Sequence, residues 1–221
     1  KRIWDSAGMT AESLCVACLF EDEALLREQL ELSDMFGART LVIITGGFEA
    51  VRSAGHDGDI DYARSLLAER LALAAELADS YRVRLAFEPL HPMVCGFRSI
   101  VSTLQESLDI LDQMDDSHDI GLAIDTYALW WEHDLQEKLK RAGNRILNYH
   151  VSDWLADTRD LRLDRGMPGD GQIALCDWRQ MIEAAGYFGP VEIEIFSRDR
   201  WWKIPAEKMI AEIIQRMNSA F

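Results

Sequence analysis

Glu88, Asp125, His150 and Glu194 are the residues of this sequence whose types and settings could do chemistry together. Each stands at or near the end of a short apolar run: "VRLAFE" (83–88), "IGLAID" (120–125), "RILNYH" (145–150) and "VEIEIF" (191–196). Acids are depleted in β-strands, because a carboxylate packs poorly on a pleated surface and resists burial without a partner. Four strand-like runs that end on ionisable groups therefore ask for a common cause. Three carboxylates and one imidazole make a hard, oxygen-rich donor set suited to Mn2+ or Mg2+, with Co2+ or Zn2+ tolerated.

Those four runs belong to a longer alternation. "SLCVACLF" (13–20) and "TLVIIT" (40–45) precede them, and helical patterns such as "DEALLREQLELSDMFG" and "DYARSLLAERLALAAELADSY" lie between the runs. Gly37, Gly143 and Gly186 fall where helices should close. Strands alternating with helices imply an α/β fold with a parallel sheet and right-handed crossovers. No GxGxxG or Walker-type loop follows a strand, so a nucleotide-binding open sheet is poorly supported. A (β/α)8 TIM barrel averages roughly 31 residues per unit. At 221 residues the expectation is one TIM-barrel domain over 1–221 with its first two βα units missing. The opening "KRIWDSAGMTAES" reads as the tail of a helix closed by Gly8, with no initiator Met, which fits an N-terminally incomplete chain.

Composition narrows the classes. Thirty-eight acidic residues against 23 basic give a net charge of -15, a field that repels phosphate backbones and anionic membranes. No apolar run approaches the ~18 residues of a membrane span, so neither nucleic acid nor membrane is an expected partner. Four cysteines are too few for a disulfide scaffold, and a reducing cytoplasm fits. Cys15 and Cys18 have CxxC spacing inside an apolar run, and are expected to be buried thiols on opposite faces of a strand.

Alternation along the last strand puts Glu192 and Glu194 on one side. Glu194 is nearer the end and is the better ligand; Glu192 lies deeper, with Arg84 a candidate partner by parity. Asp153 could take the second N–H of His150 and orient the ring, or simply start the next turn. His91, held between Pro89 and Pro92 after Glu88, could reach a substrate or fix its loop by hydrogen bonding. Trp130 and Trp131 read more readily as packing, in the core or against another subunit, than as a wall against a sugar ring.

At "LAFEPLHPM", "GLAIDTYALWW", "ILNYHVSDW", "DRGMPGDGQI" and "AAGYFGPVEIEIFSRDRWW", taken in that order, the chain resembles the xylose-isomerase-like TIM barrels. More narrowly it is similar to their sugar phosphate isomerase/epimerase group, which includes inosose dehydratases and ketose 3-epimerases. The resemblance implies that Glu88, Asp125, His150 and Glu194 bind one divalent metal. It also implies that Glu88 and Glu194 form the catalytic acid/base pair, moving a proton beside a carbonyl through an enediolate. Arg165 matches a family arginine that holds substrate oxygens, with Arg159 and Arg162 as neighbours in "DTRDLRLDR". The expected function is a metal-dependent sugar isomerase or epimerase with a sugar or cyclitol substrate; a homo-oligomer is allowed. The family's D-x-x-H histidine is replaced by Ala128 in "DTYA", with His133 five residues further on. That departure keeps two alternatives open, an inosose-dehydratase-type lyase and a non-catalytic sugar-binding descendant. Endonuclease IV relatives share the barrel, but need more histidines than these five and a basic groove.

Overall fold

The structure is a computed structural model and describes residues 1–55, 59–115 and 118–220. Six strands form one sheet: β1 (Ser13–Cys18), β2 (Thr40–Ile44), β3 (Arg84–Phe87), β4 (Ile120–Asp125), β5 (Ile146–Val151) and β6 (Glu192–Ile193). The helices are α1 (Arg2–Ser6), α2 (Glu23–Phe36), α3 (Phe48–Ser53), α4 (Ile60–Ser65), α5 (Leu67–Asp79), α6 (Leu104–Leu111), α7 (Thr126–Leu129), α8 (Leu135–Ala142), α9 (Leu175–Ala184) and α10 (Ala206–Ala220). The strand order is β1-β2-β3-β4-β5-β6, and β1–β2, β2–β3, β3–β4 and β5–β6 pair in parallel. Consecutive strands are neighbours throughout. A doubly wound sheet would reverse its order at a switch point, so the chain is singly wound, as a TIM barrel is.

The chain divides into two compact units, Lys1–Ala123 with Arg145–Asn148, and Ile124–Asn144 with Tyr149–Phe221. In the first, β2 is buried at every position because both of its faces are covered, which explains its unbroken apolar run. Val42, Ala86 and Ala123 form a fully buried cluster, with Val16 and Leu147 packed against it. Completely buried Leu30, Leu41, Ile43, Leu67, Leu71 and Leu85 each contribute about 1.5–3 kcal/mol relative to exposure. The helices begin on side chains that accept orphan amides: Asp22 takes the Ala24 N–H at 2.9 Å, and Thr103 takes that of Glu106 at 3.0 Å. Gly37 ends α2 at φ +77°, as its position in the sequence suggests. The pattern over 61–81 forms two helices rather than one, parted at Leu66.

In the second unit, β6 pairs over only two residues rather than the six expected from "VEIEIF". The Glu194 N–H still reaches the Val151 carbonyl at 3.1 Å. Beyond it the chain changes partner: the Arg165 N–H donates to the Phe196 carbonyl and that of Arg198 to the Leu163 carbonyl, both at 2.9 Å. Residues 163–165 thus run antiparallel beside 196–198, with an isolated bridge from Asp164 to Ser197. The Cys15 expectation needs correction: its side chain is exposed and that of Cys18 only half-buried, because β1 is an edge of the sheet with an irregularity between Cys15 and Ala17. None of the four cysteines forms a disulfide.

Candidate functional site

Asp125 is the last residue of β4 and also the N-cap of α7. Its Oδ1 accepts the Tyr127 N–H at 2.9 Å, which fixes the carboxylate and leaves Oδ2 to face Arg165. Arg165 Nη1 donates to Asp125 Oδ2 at 3.0 Å and to Glu194 Oε2 at 2.8 Å, so one guanidinium nitrogen bridges two of the expected ligands. The same nitrogen is 3.4 Å from Ser152 Oγ. His150, at the end of β5, lies with Nδ1 3.8 Å from Glu194 Oε2 and Nε2 3.8 Å from Glu192 Oε2. Both glutamates therefore face one side, as strand alternation requires. Within this unit the structure brings together Asp125, His150, Glu194 and Arg165.

Asp125 is completely buried, and burial holds its carboxyl above the usual carboxylate range. The nearby Glu194 charge pushes the same way, while Arg165 and His150 pull against it without prevailing.

Two aromatic rings position the guanidinium. Its carbon sits 4.5 Å from the Tyr127 ring centre and 5.2 Å from that of Phe196. Tyr127 is two residues after Asp125 and Phe196 two after Glu194. The pairs D-x-Y and E-x-F are the only local signal for these two residues, and a search for ionisable groups at strand ends misses it. Burial raises the Tyr127 phenol to about 12, keeping it neutral beside the guanidinium. The antiparallel run of 163–165 along 196–198 aims Arg165 here. The backbones of its neighbours are tied to loop acids: the Arg159 main-chain N–H donates to Asp164 Oδ2 at 2.9 Å, and that of Arg162 to Asp160 Oδ1 at 3.0 Å.

Asp153 is placed differently from the sequence expectation. Its carboxylate is the hub of the loop that follows, not a partner for the imidazole. Oδ1 accepts from the Trp154 and Ile173 amides at 2.9 and 3.0 Å, and Oδ2 from those of Gly169 and Gly171 at 3.0 and 2.7 Å. Those four bonds fill the four acceptor positions of a carboxylate. Gly171 is obligatory, since a Cβ there would stand 2.2 Å from the Trp154 carbonyl oxygen. "GMPGDGQI" is thus a loop wound around one buried acid.

Arg84 also departs from expectation. Its Nε pairs with Asp119 Oδ1 at 2.6 Å, because the side chain at the start of β3 turns outward to an exposed loop acid. Glu192 lies beside His150 instead.

In the first unit, Glu88 follows β3 and is 6% exposed, with its N–H donating to the Ile43 carbonyl at 3.0 Å. Alternation puts it on the β3 face that carries Ala86. After it, His91 Nδ1 accepts the Met93 N–H at 3.1 Å and caps the 3-10 turn Pro92–Val94, so the loop-fixing role is visible. Ala128 is buried in α7 and His133 is exposed in the loop beyond. Trp130 packs on Trp154 with ring centres 5.5 Å apart, and Trp131 Nε1 donates to the Ala128 carbonyl at 2.7 Å.

The site is acid-rich, with hard donors converging on a cation, and known proteins share its scaffold. No curated protein matches the sequence. Among solved structures, a protein from Sinorhizobium meliloti 1021 is 37% identical, with TM-score 0.88 over 99% of this chain and 81% of that one. The IolI protein, crystallised with a zinc atom, is 19% identical, with TM-score 0.78 over 96% of this chain and 76% of its own. A D-allulose 3-epimerase from Methylomonas sp. is 16% identical, with TM-score 0.74 over 100% and 80%. At such low identity these last two share the fold. The model of the family described as xylose isomerase-like TIM barrel matches residues 22–220. With that match running from α2 to the last helix, the chain belongs to the xylose isomerase-like TIM barrel family.

Proposed function

We propose that the chain is a divalent-metal-dependent isomerase or epimerase of a sugar or sugar phosphate, transferring a proton next to a carbonyl through an enediolate. The observation that carries this reading is the bridge of Arg165 Nη1 between Asp125 and Glu194, with His150 beside it. Two carboxylates held on one cationic nitrogen, next to an imidazole, form a donor set that fits a hard or borderline divalent ion. Glu88 joins Asp125, His150 and Glu194 as a ligand in this reading, since it too ends a strand with a buried carboxylate. Mn2+ or Mg2+ suits so oxygen-rich a set, and the zinc in the IolI protein makes Zn2+ a reasonable third. A bound ion would supply Lewis-acid polarisation of the substrate's carbonyl and hydroxyl oxygens.

The chain's own groups do the rest. Glu88 and Glu194 act as the acid/base pair, one taking the proton beside the carbonyl and the other returning it, a positioned transfer worth roughly 10²–10⁴-fold. Arg165 offers a fixed fork of N–H donors to substrate oxygens. His91 holds the loop after Glu88 and presents its ring to substrate. Relatives named as a D-allulose 3-epimerase and a 3-keto-D-glucoside 4-epimerase support a carbohydrate substrate. One cytoplasmic domain over 1–221, able to form a homo-oligomer, belongs to the same reading, and the family match crosses both compact units. Ala128 in the D-x-x-H position favours a second reading, a lyase of the inosose-dehydratase type or a descendant that binds sugar without turning it over.

Elemental analysis tests the proposal. The expected result is about one divalent ion per chain in the wild type and none in Glu194→Gln or His150→Ala, followed by activity on ketoses or inososes. A folded wild-type protein that takes up no Mn2+ refutes it.

A further inference from the structure

We propose that Arg165 and a divalent cation are alternative partners of the same two carboxylates, so that ion binding moves the guanidinium from Asp125 and Glu194 toward substrate. This rests on the ligand set proposed above and adds a coupling within it.

The geometry supplies three reasons. First, the oxygens concerned are the ones an ion would use. Glu194 Oε2 faces His150 Nδ1 at 3.8 Å and is also the atom that accepts from Arg165 at 2.8 Å. Asp125 Oδ1 already accepts the Tyr127 amide, which leaves Oδ2, the second Arg165 acceptor, the freer of its two oxygens for an ion. Second, water reaches the pair from one side only. Asp125 is completely buried and the Arg165 side chain 12% exposed, against 24% for Glu194, so the repulsion between a guanidinium and a divalent ion would be screened less than in open solvent. Third, the guanidinium has a seat independent of those carboxylates. The Tyr127 and Phe196 ring centres lie 4.5 and 5.2 Å from its carbon, and their attraction for the cation does not depend on which acceptors its N–H groups find. Arg165 can thus turn Nη1 from the carboxylates to a substrate oxygen without leaving its aromatic slot. Ion and substrate would then bind with positive coupling, because the ion releases the donor that substrate uses.

The opposing arrangement is a guanidinium that stays on the carboxylates and holds them in place for the ion. The two differ in sign. The test is calorimetric Mn2+ titration of chelator-treated wild type, Arg165→Met and Arg165→Lys, with thermal melts with and without Mn2+. Competition predicts that Arg165→Met binds Mn2+ at least about 10-fold more tightly than wild type. Its melting temperature without Mn2+ should fall, and its rise on adding Mn2+ should exceed that of wild type. Arg165→Lys keeps the charge but cannot form the same fork, and should show a smaller gain in affinity. Equal or weaker Mn2+ binding by both variants overturns the proposal while leaving the metal site standing. Should Arg165→Met fold only with Mn2+, that too supports competition; should it not fold at all, the sign of the Arg165→Lys change decides. A wild type that binds no Mn2+ removes the site and the coupling together.

Discussion

Replacing Asp153 by Asn should loosen the 166–173 loop and destabilise the whole chain. The carboxylate is 1% exposed and accepts four backbone N–H bonds of 2.7–3.0 Å. Asparagine keeps one oxygen and can satisfy two of those amides; its NH2 group confronts the other two with donors. Each stranded N–H costs about 1–3 kcal/mol, and the retained pair loses its charge assistance, so the total is about 4 kcal/mol. In a chain of this length 1 kcal/mol moves the melting temperature by roughly 2–4 °C, which gives a fall of about 8–16 °C. Calorimetry of wild type and Asp153→Asn measures it, and limited proteolysis should show new cleavage within 166–173. A fall below about 2 °C with an unchanged cleavage pattern would refute the argument. If Asp153 served the His150 ring instead, the same substitution would weaken metal binding and leave the melt nearly unchanged.

Two further outcomes concern Glu132 and Cys18. Glu132 has a side chain 3% exposed and its partner Lys138, at 2.8 Å, is 18% exposed. Lys138→Met should cost about 2–3 kcal/mol by taking the charged partner from a buried carboxylate. Adding Glu132→Gln should restore most of the loss in a thermal melt, and no recovery would show that the pair is not what stabilises the segment. Burial, reinforced by Glu21, raises the Cys18 thiol to about 11. Because the folded value lies above the unfolded one, its contribution to stability is complete below pH 9.0 and is lost as pH rises to about 11. Iodoacetamide at pH 8 should accordingly modify exposed Cys15 and Cys176 well before Cys18, and equal rates would contradict this assignment.

Much of the fold was legible because strand and helix periods differ and glycine marks helix ends. β4 matches its run "IGLAID" residue for residue, and Gly37, Gly143 and Gly186 all have positive φ just past α2, α8 and α9. The grouping of three of the four candidate residues was legible on similar grounds. A charge at the end of a buried run is costly unless something there meets it; Asp125 and Glu194 meet Arg165, and His150 lies beside Glu194. What stayed hidden depends on where a loop goes. Asp153 binds amides 16 to 20 residues further on, through a turn sequence whose path no local pattern encodes. Parity alone points Arg84 at Glu192, yet a long flexible side chain at a strand's first residue reaches whichever acid is near, here Asp119. β6 ends early and residues 196–198 pair instead with 163–165, a partnership that neither segment reveals alone.

The unreversed strand order has a consequence for how the chain is made. Paired positions such as Ser13 and Thr40, Thr40 and Arg84, Leu85 and Ile120, or His150 and Glu192 lie roughly 30 to 45 residues apart. The entropy of closing those segments differs by less than about 0.5 kcal/mol, so none is favoured as the starting point by loop length. Each new strand can dock on the one synthesised just before it, as soon as the intervening helix has left the ribosome. The order lets every strand pair with the one before it without waiting for any later segment.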